Sequence, residues 1–204
     1  MQDKKYQIIL NYEKKSAHQI TMELIEKPEI SSWMFLVPIV FVPYLQRLNK
    51  YKNAVKIFED GYLFTKKQAL DVAYLMYKDG KTKNIALDQA KKVVIKDPQA
   101  LEHIQKIYSS QLKEICLLAD FYYKLFQASG NSYEEMLREV HPNKATHQEF
   151  LNALAKAEHE VNNQAIYAVK INESERSELF IKLEEKSRTY RLKEAERIYN
   201  SQAS

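Results

Sequence analysis

One cysteine, three glycines and five prolines leave this chain of 204 residues with little punctuation. Each scarcity excludes something. The lone Cys116 cannot form an internal disulfide, which fits a reducing compartment. Within Ile115-Cys116-Leu117-Leu118 it reads as a small core residue. The glycines, Gly61, Gly80 and Gly130, are isolated, so neither a phosphate-binding Walker loop nor a dinucleotide fingerprint is possible. No Gly-x-Ser-x-Gly elbow occurs either. With so few breakers, long helices are expected.

Chemistry-bearing clusters are equally scarce. The five histidines are His18, His103, His141, His147 and His159, and no two stand four residues apart. There is no Glu-x-x-His and no His-Glu-x-x-His, which excludes the di-iron bundle pattern and the zinc-protease pattern. His141 and His147 straddle a turn and could approach each other; they read as cap-region histidines exposed to water. Asp120 sits in an apolar run with Lys124 four residues on, an ordinary helical pair. Facing inward, it would instead be the most interesting titratable group in the chain. No catalytic residue, cofactor site or metal site is assigned.

The charge balance is mild. Lys and Arg number 31 against 27 Asp and Glu, a net +4 concentrated in the first half. That permits attraction to an anionic membrane surface but is no nucleic-acid footprint. Two helices joined through Gly80, with lysines around them, have the outline of a helix-turn-helix. No Arg or Gln stands in the second helix's first turn to read bases, so nucleic acid is not an expected partner.

What is present is one uncharged stretch: Trp33, Met34, Phe35, Leu36, Val37, Pro38, Ile39, Val40, Phe41, Val42, Pro43, Tyr44 and Leu45. A spanning helix needs about 20 apolar residues, and this run falls short. Its two prolines each remove a helix hydrogen bond. Both flanks are basic, with Lys27 before it and Arg47, Lys50 and Lys52 after it. Spanning segments usually show a bias between the sides. Symmetric flanks suit a segment that enters and leaves by one face, with Trp33 and Tyr44 at the interface and the four basic residues on headgroups. An apolar run of this length is also an ordinary buried segment or subunit interface.

The rest reads as amphipathic helix. Residues 3–27 carry Tyr6, Leu10, Ala17, Ile20 and Leu24 on one face and end at Pro28. A helix over 46–59 is expected to stop at Asp60-Gly61. Thr65-Lys66-Lys67-Gln68, Ser132-Tyr133-Glu134-Glu135 and Thr146-His147-Gln148-Glu149 are capping boxes that start new helices. Residues 99–127 carry the widest apolar stripe and are the expected central helix. A break near Asn172 precedes the segment to Tyr199, which is dense in charge and narrow-faced, as in a helix that protrudes or pairs with a partner.

The expected fold is therefore all-α, a bundle of six to eight helices. Its divisions are an N-terminal helix and apolar segment (1–60), a bundle core (61–171) and a charged terminal helix (172–204). The expected function is non-catalytic attachment to the cytoplasmic face of a membrane through 30–48, as an adaptor or scaffold. The alternative is a soluble scaffold or subunit whose segment 30–48 meets a protein partner or a second copy. A third reading is an enzyme or carrier for an apolar or lipid-like ligand. The chain shows no secretory leader pattern, in keeping with a cytoplasmic location.

Overall fold

The computed structural model describes the backbone of residues 4–25, 38–168 and 173–200, and the side chains of 4–25, 49–165 and 181–200. Trp33–Val37, Lys27, Pro28 and Asn172 lie outside the described residues, as do the side chains of Pro38–Leu45 and Arg47. Every regular element among the described residues is a helix: α1 (Lys4–Leu24), α2 (Pro38–Asp79), α3 (Lys83–Val94), α4 (Glu102–Gln127), α5 (Tyr133–Val140), α6 (Lys144–Ala168) and α7 (Glu173–Asn200).

Five of them close a ring in the order α1, α2, α4, α6, α7 and back to α1. Cross-helix pairs fix their directions. Tyr6 meets Asp71 and His18 meets Glu59, so α1 and α2 are antiparallel. Thr65 meets Glu114 and Tyr77 meets Phe126, so α2 and α4 run parallel, the connection crossing through α3. Phe121 stacks on Phe150, while Arg191 reaches Glu158 and Lys144 reaches Glu196, so α6 is antiparallel to both α4 and α7. Outside the ring, α3 braces α2 and α4, and α5 packs on α4 and α1.

The apolar core fills one end of the ring. Ile9, Leu70, Val72, Ile115, Leu118, Leu125, Phe126, Met136, Leu137 and Ile198 are almost wholly buried there. The wide stripe of α4 supplies much of this core, as its periodicity predicts. The terminal helix α7 does not protrude. It packs on α1 and α6 and buries Tyr190, Ala195 and Ile198, because these residues, five and three apart, fall on one face.

Two turns use their special residues. Gly80 takes φ +61 at the end of α2, where the Lys81 N–H donates to the Leu75 carbonyl. Gly130 lets the chain pass close to α5; a Cβ there would lie 2.7 Å from both Glu135 Cβ and the Met136 nitrogen.

Several local expectations are corrected. The helix expected to stop at Asp60-Gly61 continues, and α2 runs 42 residues without a break. A mid-helix glycine costs only about 1 kcal/mol, which the burial of Leu63, Ala69, Leu70, Val72 and Ala73 just beyond it outweighs. Thr65 starts no helix; its hydroxyl is taken by Glu114. Thr146 is not the cap of α6 either: Asn143 Oδ1 accepts from the Thr146 N–H one turn into that helix. Ser132 does cap α5, accepting from the Glu135 N–H. Cys116 is half-buried rather than deep in the core, beside Lys83. Asp120 faces outward and pairs with Lys83 at 2.6 Å, not with Lys124.

The glycines predict opposite effects. Gly61→Ala adds a methyl to open space in a helix and should raise stability by up to about 1 kcal/mol. Gly130→Ala forces a methyl onto the backbone of α5 and should lower it by about 1–3 kcal/mol. Urea unfolding followed by circular dichroism measures both, and equal signs would contradict this account.

Candidate functional site: a buried charge network beneath a cavity

One layer below the apolar core, charge replaces hydrocarbon. Lys66 on α2, Glu114 on α4, Glu158 on α6 and Arg191 on α7 converge inside the ring, with Glu13 of α1 behind them. The register that brings them inward is the register of the core. Lys66 stands four and seven residues before Leu70 and Ala73, and Glu114 four and seven before Leu118 and Phe121. Glu158 stands four and seven after Leu154 and Leu151, and Arg191 four and seven before Ala195 and Ile198. Glu13 follows Ile9 and precedes Ala17 by four. A residue on the buried stripe of a helix goes inside whatever its polarity.

The geometry is tight. Arg191 donates from Nη1 to Glu158 Oε2 at 2.7 Å and from Nη2 to Oε1 at 2.7 Å, a two-pronged pair. The same Nη2 donates to the Tyr62 hydroxyl at 2.8 Å. Lys66 Nζ donates to Glu158 Oε1 at 3.0 Å and sits 3.9 Å over the Tyr62 ring. Glu114 is more loosely held: Thr65 Oγ1 donates to its Oε1 at 2.7 Å, and Lys66 stands 3.9 Å from that oxygen. Tyr12 and Tyr133 stack beside the network with ring centroids 3.5 Å apart. The buried Tyr122 hydroxyl faces Glu13 without a hydrogen bond of ordinary geometry.

Protonation follows from who holds whom. Burial alone would raise Glu158, but Arg191 and Lys66 outweigh it and hold its carboxyl well below the usual range. Burial pushes Glu13 and Glu114 up, against a weaker pull from Lys66. Burial would lower Lys66; Tyr62, Glu158 and Glu114 together reverse that, so it stays charged and is no candidate nucleophile. Burial raises the Tyr122 and Tyr133 phenols well above their ordinary value.

Above the network lies a cavity of about 730 Å³ between α2, α4, α6 and α7. Lys66, Glu114, Glu158 and Arg191 form its floor. Phe58, Tyr62, Val161 and Leu183 form largely apolar walls, and Gly61 and Ala155 leave the space unfilled. Ile57 and Ile181 stand at its edge, 74% and 63% exposed.

A second polar feature sits at the core end. His141 and His147 stack with centroids 5.5 Å apart, inside Phe121, Phe150 and Tyr199. They do meet, but they are not the water-exposed pair expected: His147 is 5% exposed, and its Nδ1 and the His141 Nε2 are buried without partners. Burial lowers His147 to about 4, with a smaller push from His141; burial and Lys124 lower His141. Among the described residues, no three or more His, Cys, Asp or Glu side chains are grouped to hold a metal ion.

No family model matches the chain, and no curated protein or solved structure is found to be similar to it. The site therefore stands on its own geometry. Of the residues marked out by sequence, Lys50 and Lys52 are exposed on α2. Sequence reasoning missed the network entirely. Its signal was available as five charged residues in the register of the apolar stripes.

His147 predicts a pH dependence. In the fold it stays neutral down to about pH 4, whereas unfolded it takes a proton below about pH 6.5. Its contribution is intact above the unfolded value and is lost as pH falls towards 4, by up to about 3 kcal/mol. Urea unfolding at pH 7 and pH 4.5 should therefore show a smaller loss for His147→Phe than for the native chain. Equal losses would remove His147 as the cause.

Proposed function

We propose that this chain is a binding protein for an amphipathic small molecule, held at a membrane surface by residues 30–48. The observation that carries the ligand half is the cavity. Largely apolar walls with a few convergent polar groups are the usual anatomy of a small-molecule site, and about 730 Å³ is ample for a chain-like or ring-bearing ligand. Its tail would lie along Phe58, Val161 and Leu183, and its polar end would meet the charged floor. In this reading the protein holds and releases its ligand; Lys66 and Arg191 are committed to Glu158 rather than to a reaction.

The membrane half draws support from the continuity of α2. The apolar run Pro38–Leu45 opens the same helix that lines the cavity at Ile57. At about 1.5 Å per residue, the two stand roughly 20–30 Å apart along the axis. Between 49 and 60 that helix buries no residue, and it exposes Lys50, Lys52 and Lys56, cations suited to anionic headgroups. Among the described residues no helix is long and apolar enough to cross a membrane, so the attachment proposed is to one leaflet. Exposed Ile57 and Ile181 would then face ligand arriving from that surface.

Two measurements test the halves. Saturation with 1-dodecanol should raise the melting temperature of the native chain by about 5–10 °C, the effect of ligand at about a hundred times Kd on a chain of this size. Gly61→Phe fills the cavity from a position with no atom in its way and should abolish that rise. An undiminished rise in Gly61→Phe would end the cavity reading. Separately, the native chain should float with anionic vesicles, while a folded Val37→Asp, Val40→Asp double variant should not. A soluble native oligomer that these substitutions break apart would assign 30–48 to a protein interface instead.

A further inference from the structure

We propose that the ligand's polar end is a cation: the cavity takes an amphipathic amine, with its ammonium group on Glu114. This inference rests on the ligand-binding reading and adds the charge of the ligand. Three observations carry it.

The first is the unequal sharing of the buried cations. Arg191 gives two N–H bonds to Glu158, and Lys66 adds a third at 3.0 Å. Glu158 is thus paired twice, while among the described cations Glu114 meets the edge of Lys66 alone, at 3.9 Å. With Glu13 behind them, three carboxyl groups share two cations, and burial favours the neutral form of Glu13 and Glu114, the two that are not doubly paired. An interior holds a carboxylate only beside a cation, and a ligand ammonium would let Glu114 ionise against it.

The second is the position of Glu114. It is 4% exposed, and among the described residues its one hydrogen bond, from Thr65, falls on Oε1. Among the described residues no donor meets the other oxygen, and the residue lines the cavity floor. An ammonium group arriving from above would complete it.

The third is the surroundings. Phe58 and Tyr62 stack at 6.3 Å along the same wall, and aromatic faces favour ammonium groups. The remaining charges lining the cavity do not reverse the sign: Lys156 and Arg188 are matched in number by Glu184 and Glu185, and His159 pairs with Glu184.

The test is a calorimetric titration of the full chain with dodecylamine, 1-dodecanol and dodecanoate, the two ions kept below their micelle concentrations and the alcohol below its solubility limit. The amine should bind at least about tenfold tighter than the alcohol, as a charged hydrogen bond to a buried carboxylate implies, and dodecanoate more weakly than either. Glu114→Gln should bring the amine to the affinity of the alcohol and leave the alcohol within about twofold. Glu114→Asp keeps the charge and should retain part of the preference, which covers the case in which the amide variant fails to fold. An amine that gains nothing over the alcohol, or that keeps its full advantage in a folded Glu114→Gln, overturns the inference while the cavity reading stands. Binding of none of the three overturns both.

Discussion

Arg191 lays two parallel N–H bonds on Glu158, and Lys66 meets the same carboxylate from the opposite wall. This contact ties α7, α6 and α2 together across the middle of the ring. Five helices around one axis leave a wider centre than four, and apolar side chains fill it most fully at the end where Phe121, Tyr122 and Phe126 of α4 crowd inward. Farther along, the gap is bridged by the longest side chains available, and these are charged. Removing one partner would strand the other in a dry interior, at about 3–5 kcal/mol. The network is therefore a structural commitment: once Lys66 and Glu158 are inside, Arg191 must be inside as well.

Such a commitment does not explain why charge is there at all. A buried ion pair seldom stabilises a fold more than well-packed hydrocarbon of the same volume would. Leucine and methionine could span the same gap. The ion pairs also leave an unfilled cavity directly above them, where Gly61 and Ala155 occupy positions that larger residues would close. Charge without a stability advantage, beside space without a packing advantage, is the combination expected where a site is maintained for a ligand. The histidine pair lacks that second element. Its orphan nitrogens sit in a filled aromatic box rather than against open volume.

How legible all this was in the sequence depends on the scale of the signal. Repeating signals read correctly, in the stripe of α4 and the class of the fold, and so did the Ser132 cap, which stands where a loop already breaks the chain. Single-residue signals that tertiary packing can override did not. Gly61 resembles a helix end, yet the buried face beyond it carries the helix through. Thr65 resembles a cap, yet its hydroxyl is worth more to the Glu114 carboxylate buried beside it. The network was hidden for a different reason. A sequence dense in charge makes Lys66, Glu158 and Arg191 look like a solvated surface. Only their spacing from Leu70, Leu154 and Ile198 separates them from the other charged residues. Asp120 shows the converse, an acid in apolar company that faces water because it falls off the stripe.

The apolar run from Trp33 to Leu45 takes its meaning from the helix it leads into. Taken alone it could serve a leaflet, a partner or the core. The described bundle already closes its apolar end with α1, α2, α4, α5 and α7, and α2 enters that bundle from the far side, past the cavity. Helices transmit position rigidly, at a fixed rise per residue. Whatever surface receives Pro38–Leu45 therefore sets the distance of the cavity from that surface. A buried core segment would need no such standoff. On the proposed reading, in which the segment docks outside the bundle, one long unbroken α2 is useful, and Gly61 is accommodated within a helix rather than used to end it.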